Sequence, residues 1–144
     1  MTPLLQVRDL RVDFPTGSAL FARLKGRPRP AVVAVDGISF EVARGASVGI
    51  VGESGCGKST LARALTGLVP VAGGAISFDG AELTARRERA TMRRIQMVFQ
   101  DPGSSLNPRR TIGDSVAEPL RVAGGLSRAE MTRRVGEALE QVQL

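Results

Sequence analysis

The residues whose types and spacing can do chemistry stand together at Gly52-Glu53-Ser54-Gly55-Cys56-Gly57-Lys58-Ser59-Thr60. The stretch reads G-x-x-x-x-G-K-[ST], a phosphate-binding loop. A polyphosphate carries several negative charges and has to be wrapped closely. Gly52, Gly55 and Gly57 permit torsions and close backbone approach that a Cβ would block. Successive N–H groups, those of Ser54 and Cys56 among them, then point inward as an anion nest. A helix starting here adds its unsatisfied N–H groups and the positive end of its dipole. Lys58 is placed to reach the β- and γ-phosphates, and the Ser59 hydroxyl to sit on Mg²⁺. Thr60 caps or back-bonds in the same turn. Cys56 fills a free position of the motif, and nothing in its surroundings marks a catalytic thiol.

Such a loop works only between a strand and a helix. Ala46 to Val51 is short, apolar and partly β-branched, which predicts a buried strand. From Lys58 to Leu68, Leu61, Leu65 and Leu68 recur at i, i+4 and i+7, which predicts a helix with one core face. Upstream, Leu5, Val7, Leu10, Val12 and Phe14 form a loosely alternating strand, interrupted near Asp9 and ended by Pro15. Residues 16–30 have no period and are rich in Gly, Pro and Arg, as in a loop or insertion. Ala31 to Val42 reads as two short strands about an Asp36-Gly37 turn, an antiparallel element beside the nucleotide-binding core. Ala75 to Phe78 is a further strand closed by Asp79-Gly80.

Thr84 to Arg94 is heavily charged and reads as a solvated helix, with nucleic-acid contact as the minor alternative. Ile95 to Phe99 predicts an apolar strand that ends at Gln100. A polar residue at the carboxyl end of such a strand faces the ligand crevice, where Gln100 can touch Mg²⁺ or the attacking water; its plain alternative is a turn residue before Asp101-Pro102. Thr111 and Asp114 suit a helix start, and Pro119 is expected to kink or end that helix. Ser127 to Glu130 is a capping-box pattern ahead of Met131, Val135, Leu139 and Val142 at helical spacing.

Composition bounds the function. The 144 residues amount to one domain or a piece of a larger one, and 42% apolar content suffices for a core. A single Cys leaves no internal disulfide and fits a reducing compartment. Neither a signal pattern nor an 18-residue apolar run occurs, so a cytoplasmic location is expected. With no histidine, His-based acid–base or metal chemistry is excluded within these residues. The net charge of +6 favours anionic partners, but without Trp or Tyr to stack on bases, no nucleic acid partner is expected.

Taken together, these residues resemble an ATP-binding cassette (ABC) transporter subunit, and more narrowly the ATPase subunits of oligopeptide and dipeptide importers. The loop at 52–60 matches their phosphate loop. Val98-Phe99-Gln100-Asp101-Pro102 is similar to their glutamine loop, and Ser104-Ser105-Leu106-Asn107-Pro108-Arg109 continues it in the peptide-importer style, as does Ala34-Val35-Asp36-Gly37-Ile38-Ser39-Phe40. An ABC-type ATPase of DNA repair is the other family member considered; Gln100 follows Gly52 by only 48 residues, which leaves no room for the large insertion those proteins carry.

The resemblance implies an α/β P-loop NTPase core of ABC type. Residues 1–100 would form the β subdomain with the phosphate loop and its helix, and residues 101–144 the glutamine-loop exit and the start of a helical subdomain. It implies ATP and Mg²⁺ as ligands, with Lys58 and Gln100 acting on phosphate and water, and Ser59 and Gln100 on the metal. Phe14 falls where the family places an aromatic that stacks on adenine. The implied partners are transmembrane permease subunits and a second ATP-binding subunit, identical or related, on the inner face of the membrane. Ser105, Asn107, Arg109 and Arg110 would rim the groove that receives the permease, with Leu106 as its apolar anchor. The family's signature, its Asp-Glu strand and its switch histidine do not occur in these residues. The expectation is therefore the N-terminal part of the domain, inactive by itself in ATP hydrolysis.

Overall fold

The apolar residues of the first strand change phase once. Leu5 and Val7 keep a two-residue step, and Leu10, Val12 and Phe14 keep another, but the step from Val7 to Leu10 is three residues. The computed structural model, which describes residues 2–18, 26, 29–84, 89–101, 103 and 106–144, shows how the chain absorbs that jump. Strand β1 (Leu5–Pro15) runs through, with Asp9 bulged out of it at φ +47. The bulge appears in both ladders of β1: Val7 and Leu10 pair with Phe40 and Ile38 on one side, and Arg8 and Arg11 with Ala75 and Gly73 on the other. Val7, Leu10 and Val12 therefore share one face and are all but fully buried.

Strand β2 (Ala31–Val42) is one continuous strand, not the two expected around Asp36-Gly37. It pairs antiparallel with β1 from Ala31 to Val42, and Gly37 at φ +65 takes up an irregularity in the ladder instead of reversing the chain. A second irregularity lies at Ala34: Val12 opposes Val35 and Asp13 opposes Val33, so Ala34 is the extra residue. Strand β3 (Gly73–Phe78) flanks β1 on its other side, and the two-residue β4 (Ala81–Glu82) follows, giving the sheet order β2-β1-β3-β4.

Helix α1 (Lys58–Leu65) covers one face of this sheet. Leu61 and Ala64 join Val7, Leu10, Val12, Val35 and Ile76 in the core, with Leu5, Phe40, Leu65, Val69 and Leu83 around them. Burying a side chain such as Leu10 is worth about 1.5–3 kcal/mol. The helix is shorter than the apolar spacing suggested. Gly67 at φ +77 lets the N–H of Leu68 reach back to Arg63 O (2.8 Å) and its own N–H to Ala64 O (3.1 Å), a left-handed stop that leaves Leu68 exposed.

Two expected core strands are not seen among the described residues. Residues 46–51 and 95–99 belong to no strand there, and Val48, Ile50, Val51, Val98 and Phe99 are exposed. Apolar patterning specifies an extended segment, but a strand needs a neighbour to bond with. The charged helix is seen as α2 (Arg89–Arg94), and most of the 16–30 segment lies outside the described residues.

The chain divides into two units, Met1–Ile95 and Gln96–Leu144. The second contains α3 (Ile112–Ala123) and α4 (Arg128–Glu140). Thr111 caps α3, accepting from Asp114 N (3.0 Å) and donating to its carboxylate (2.8 Å). Pro119 lies inside α3, which continues past it to Ala123. Ser127 caps α4 by accepting from Glu130 N (3.2 Å). Only that half of the capping box is made: the Glu130 carboxylate binds Arg133 (2.6 Å) and Arg134 (3.1 Å), which pulls its pKa from an ordinary 4.5 to about 2.

Candidate nucleotide site

The phosphate loop sits between the extended segment 46–51 and α1, at the edge of the sheet's covered face. Gly57 is the N-cap of α1, with φ +100 and no side-chain cap bond. No acidic residue occupies the first turn, so the positive end of the helix is neither capped nor neutralised locally. Leu61 N closes the first helical bond onto Gly57 O (2.8 Å). Ser59 is exposed beside it, and Thr60 is half-buried.

Gly57 is also where the loop rests on the sheet. A Cβ there would lie 2.3 Å from the carbonyl oxygen of Ala34 and 3.6 Å from Val35 Cγ2. The bulge at Ala34 thus provides the seat for the loop, a role that no residue pattern announces. Within the loop, Cys56 N bonds Glu53 O (3.3 Å), and Gly55 adopts φ +82. The space where Gly52 would carry a Cβ is taken by the Cys56 sulfur, at 2.7 Å. Cys56 is therefore a small packing group as well as an exposed thiol.

Lys58 folds over the loop. Its Nζ donates to Gly52 O (2.8 Å) and Glu53 O (2.6 Å), and lies 3.6 Å from Cys56 Sγ. An ammonium bonded to the loop carbonyls and an uncapped helix start thus stand together at the glycine-rich loop, with the exposed Ser59 in the first turn. That donor set fits a phosphate chain with a hard cation such as Mg²⁺.

Phe14 lies further along the same seat. It pairs with Val32 across the β1–β2 ladder, and both are substantially exposed. Val12 and Val35, two residues nearer the centre of β1 and on the near side of the bulge in β2, are buried. Phe14 and Val32 therefore continue the core face outward as an apolar ledge. Ala34, which touches Gly57, is two residues from Val32, about 7 Å along a strand. Gln100 belongs to the second unit, where it is exposed in a bend; next to it the Asp101 carboxylate accepts from Gly103 N (3.0 Å). Among the described residues no group of three or more His, Cys, Asp or Glu side chains stands together as a metal cage. No described helix is long and apolar enough to cross a membrane.

The chain is similar to known proteins. The chain is 44% identical over 146 residues to a putative peptide import ATP-binding protein of Brucella ovis, covering 99% of this chain and 43% of that protein. It is 44% identical over 147 residues to the di/tripeptide transport ATP-binding protein DppF of Pseudomonas aeruginosa, covering 100% and 44%. To the glutathione import ATP-binding protein GsiA of Escherichia coli O157:H7 it is 46% identical over 145 residues, covering 99% and 23%. The chain thus spans less than half the length of these curated relatives. Among solved structures, the ATP-binding cassette MJ0796 bound to ADP and Pi matches with a TM-score of 0.71 at 22% identity, over 97% of this chain and 57% of that one. CbiO1 of Clostridium perfringens matches with a TM-score of 0.64 at 24% identity, over 100% and 52%. These two likenesses establish the fold, an α/β P-loop core with an antiparallel sheet. The profile described as ABC transporter matches residues 35–144, and the chain belongs to the ABC transporter family.

Proposed function

We propose that the chain is the ATP-binding part of an importer subunit that couples MgATP binding and hydrolysis to the transport of peptide-type solutes. The observation that carries this reading is the convergence of Lys58 Nζ, the uncapped start of α1 and the glycine-lined loop seated on Ala34. The relatives at 44–46% identity are named for peptide, di/tripeptide and glutathione import, which supports the peptide class. Lys58 and the loop amides hold the phosphates, Ser59 offers its hydroxyl to Mg²⁺, and Phe14 with Val32 receives the adenine. Bound Mg²⁺ supplies charge neutralisation on the phosphate oxygens. Gln100 is the proposed contact for metal and water.

Transmembrane permease subunits and a second ATP-binding subunit are the proposed partners, at the inner face of the membrane. Leu106, exposed, is the proposed apolar anchor for the permease, with Asn107, Arg109 and Arg110 about it. Asn107 Oδ1 accepts from Arg109 N (3.0 Å), and Arg110 pairs with Glu118 (2.5 Å). Ser105 lies outside the described residues.

Titration with a fluorescent ATP analogue tests the site. Lys58→Ala removes a charge-assisted contact of about 1.5–3 kcal/mol. Affinity should fall by one to two orders of magnitude, about a factor of ten per 1.4 kcal/mol. Equal affinities would refute the assignment of the loop. Turnover is a separate matter. The family's signature and Asp-Glu strand are not among these residues, and general-base help is worth about 10²–10⁴-fold. Residues 1–144 alone should therefore release no phosphate above background. Lys58-dependent release at ordinary enzyme rates would show that a catalytic group is present here after all.

A further inference from the structure

The β1–β2 ladder closes on a proline. One residue beyond the Pro15–Ala31 pair, Thr16 N donates to Pro30 O (2.7 Å). Such a position in an antiparallel ladder normally exchanges two bonds, one in each direction. The return bond cannot come from Pro30, which has no N–H. Thr16 O instead accepts from Nε of Arg29, the side chain beside that proline (3.3 Å). The same guanidinium donates to Gly17 O through Nη2 (2.7 Å) and Nε (3.1 Å). The Thr16 hydroxyl adds a second bond to Pro30 O (3.1 Å). Four residues thus close a neck across the ladder, and the arginine stands in for the donor that proline lacks.

The arrangement suits arginine in particular. One planar fork serves two successive carbonyls, which the single ammonium of a lysine cannot reproduce in the same geometry. The neck lies two residues from the Phe14–Val32 pair, the apolar ledge beside the loop. Ladder ends are where local opening is cheapest. An opening at Thr16 and Pro30 passes first to Pro15 and Ala31 and then to Phe14 and Val32. The ledge is one surface only while its two strands are paired, so each moment of opening removes it.

We propose that Arg29 is a positioning residue for the nucleotide base: by bonding Thr16 O and Gly17 O it closes the end of the ladder and holds Phe14 and Val32 as the surface on which adenine rests. The inference rests on the reading of Phe14 as adenine-facing, and it adds a residue that acts through the backbone and not on the ligand. It therefore separates binding of the base from binding of the phosphates.

Calorimetric titration of the 144-residue chain with MgATP and with magnesium tripolyphosphate, which has the phosphates and no base, reads that separation. In Arg29→Ala the MgATP affinity should fall about two- to five-fold, as for a ledge made about a half to a fifth of the time, while tripolyphosphate affinity holds. Arg29→Lys keeps the charge and loses the fork, so it should behave as Arg29→Ala. Equal losses for both ligands, or full recovery in Arg29→Lys, would make Arg29 a charge acting on the phosphates and overturn the proposal. In Pro30→Ala the strand regains its own donor to Thr16 O, and adding Arg29→Ala should then cost less than about two-fold; an undiminished cost also overturns it. Amide exchange reads the neck without any ligand. Arg29→Ala should quicken exchange at Thr16 N and leave Asp79 N, bonded to Leu4 O at the opposite end of the ladder, as it was; unchanged exchange at Thr16 overturns the neck. Phe14→Ala distinguishes the two layers of the argument. If it leaves MgATP affinity unchanged, the adenine reading fails and the proposal with it. If it weakens binding and Arg29→Ala does not, the ledge stands and the role of Arg29 alone is refuted.

Discussion

Gly57 offers a test in which the geometry sets the size of the effect. In Gly57→Ala the new methyl would be built 2.3 Å from the Ala34 carbonyl oxygen, on a backbone held at φ +100. Neither term relaxes easily. The Ala34 carbonyl is flanked by Val33 and Val35, which are paired to Asp13 and Val12, so it cannot retreat without opening the ladder. Backbone strain of this kind costs about 1–3 kcal/mol. Forcing a methyl into an occupied space costs about another 1–3 kcal/mol.

Gly55→Ala is the internal control: φ is +82, but nothing lies within 4 Å of the new methyl, so only the torsional cost of about 1–2 kcal/mol applies. Urea melts of both variants, with ATP-analogue titrations alongside, separate the two contributions. Gly57→Ala should lose at least about 2 kcal/mol in stability, or the equivalent of about thirty-fold in affinity if the loop lifts off its seat instead. Gly55→Ala should lose clearly less by both measures. Should the two variants match within about 0.5 kcal/mol, the usual scatter of surface substitutions, the seat on Ala34 has no energetic meaning.

Two further outcomes follow from the same coordinates. Phe14→Ala should weaken ATP binding by about 1–3 kcal/mol, the worth of one base–aromatic stack, whereas Phe14→Tyr should preserve it; unfolding of both variants in a thermal melt would make Phe14 a core residue instead. In the second unit, Glu130 is held at a pKa of about 2 by Arg133 and Arg134, and Asp114 is shifted down by Arg121 and Thr111. Folded-state values below the unfolded ones mean stability that is complete above about pH 4.5 and lost toward about pH 2. Circular dichroism melts should therefore show a falling midpoint across that window, less so in Glu130→Gln and in high salt, and a flat profile would refute the pairing.

The sequence carried the chemistry further than the architecture. The loop, its helix and the phase jump near Asp9 are local patterns, written in a few adjacent residues, and the structure has all three there, with the helix ending at Leu65 instead of Leu68. The capping residues Thr111 and Ser127 were equally legible. What was not legible depends on partners far away in the chain. Asp36-Gly37 reads as a turn, yet β2 runs through it because β1 supplies a continuous ladder. The segments 46–51 and 95–99 have strand composition but belong to no strand among the described residues. Ala34 is the clearest case, since an alanine in an apolar run gives no sign that it is the bulge on which Gly57 rests.

The kink at Asp9 has a mechanical consequence. It fits between two positions without side chains: a Cβ on Gly74 would meet the carbonyl oxygens of Asp9 and Arg8 at 2.2 and 2.4 Å, and one on Gly37 would meet Asp9 Oδ1 at 3.2 Å. The strand is keyed into its neighbours, and sliding it by one residue toward Ala75 or Ile38 would drive a methyl or a larger group into the slot. Phe14, five residues further on, is therefore indexed from Asp9 through β1, and beyond it the 2.7 Å bond from Thr16 N to Pro30 O closes the ladder, so the aromatic position is bracketed from both ends.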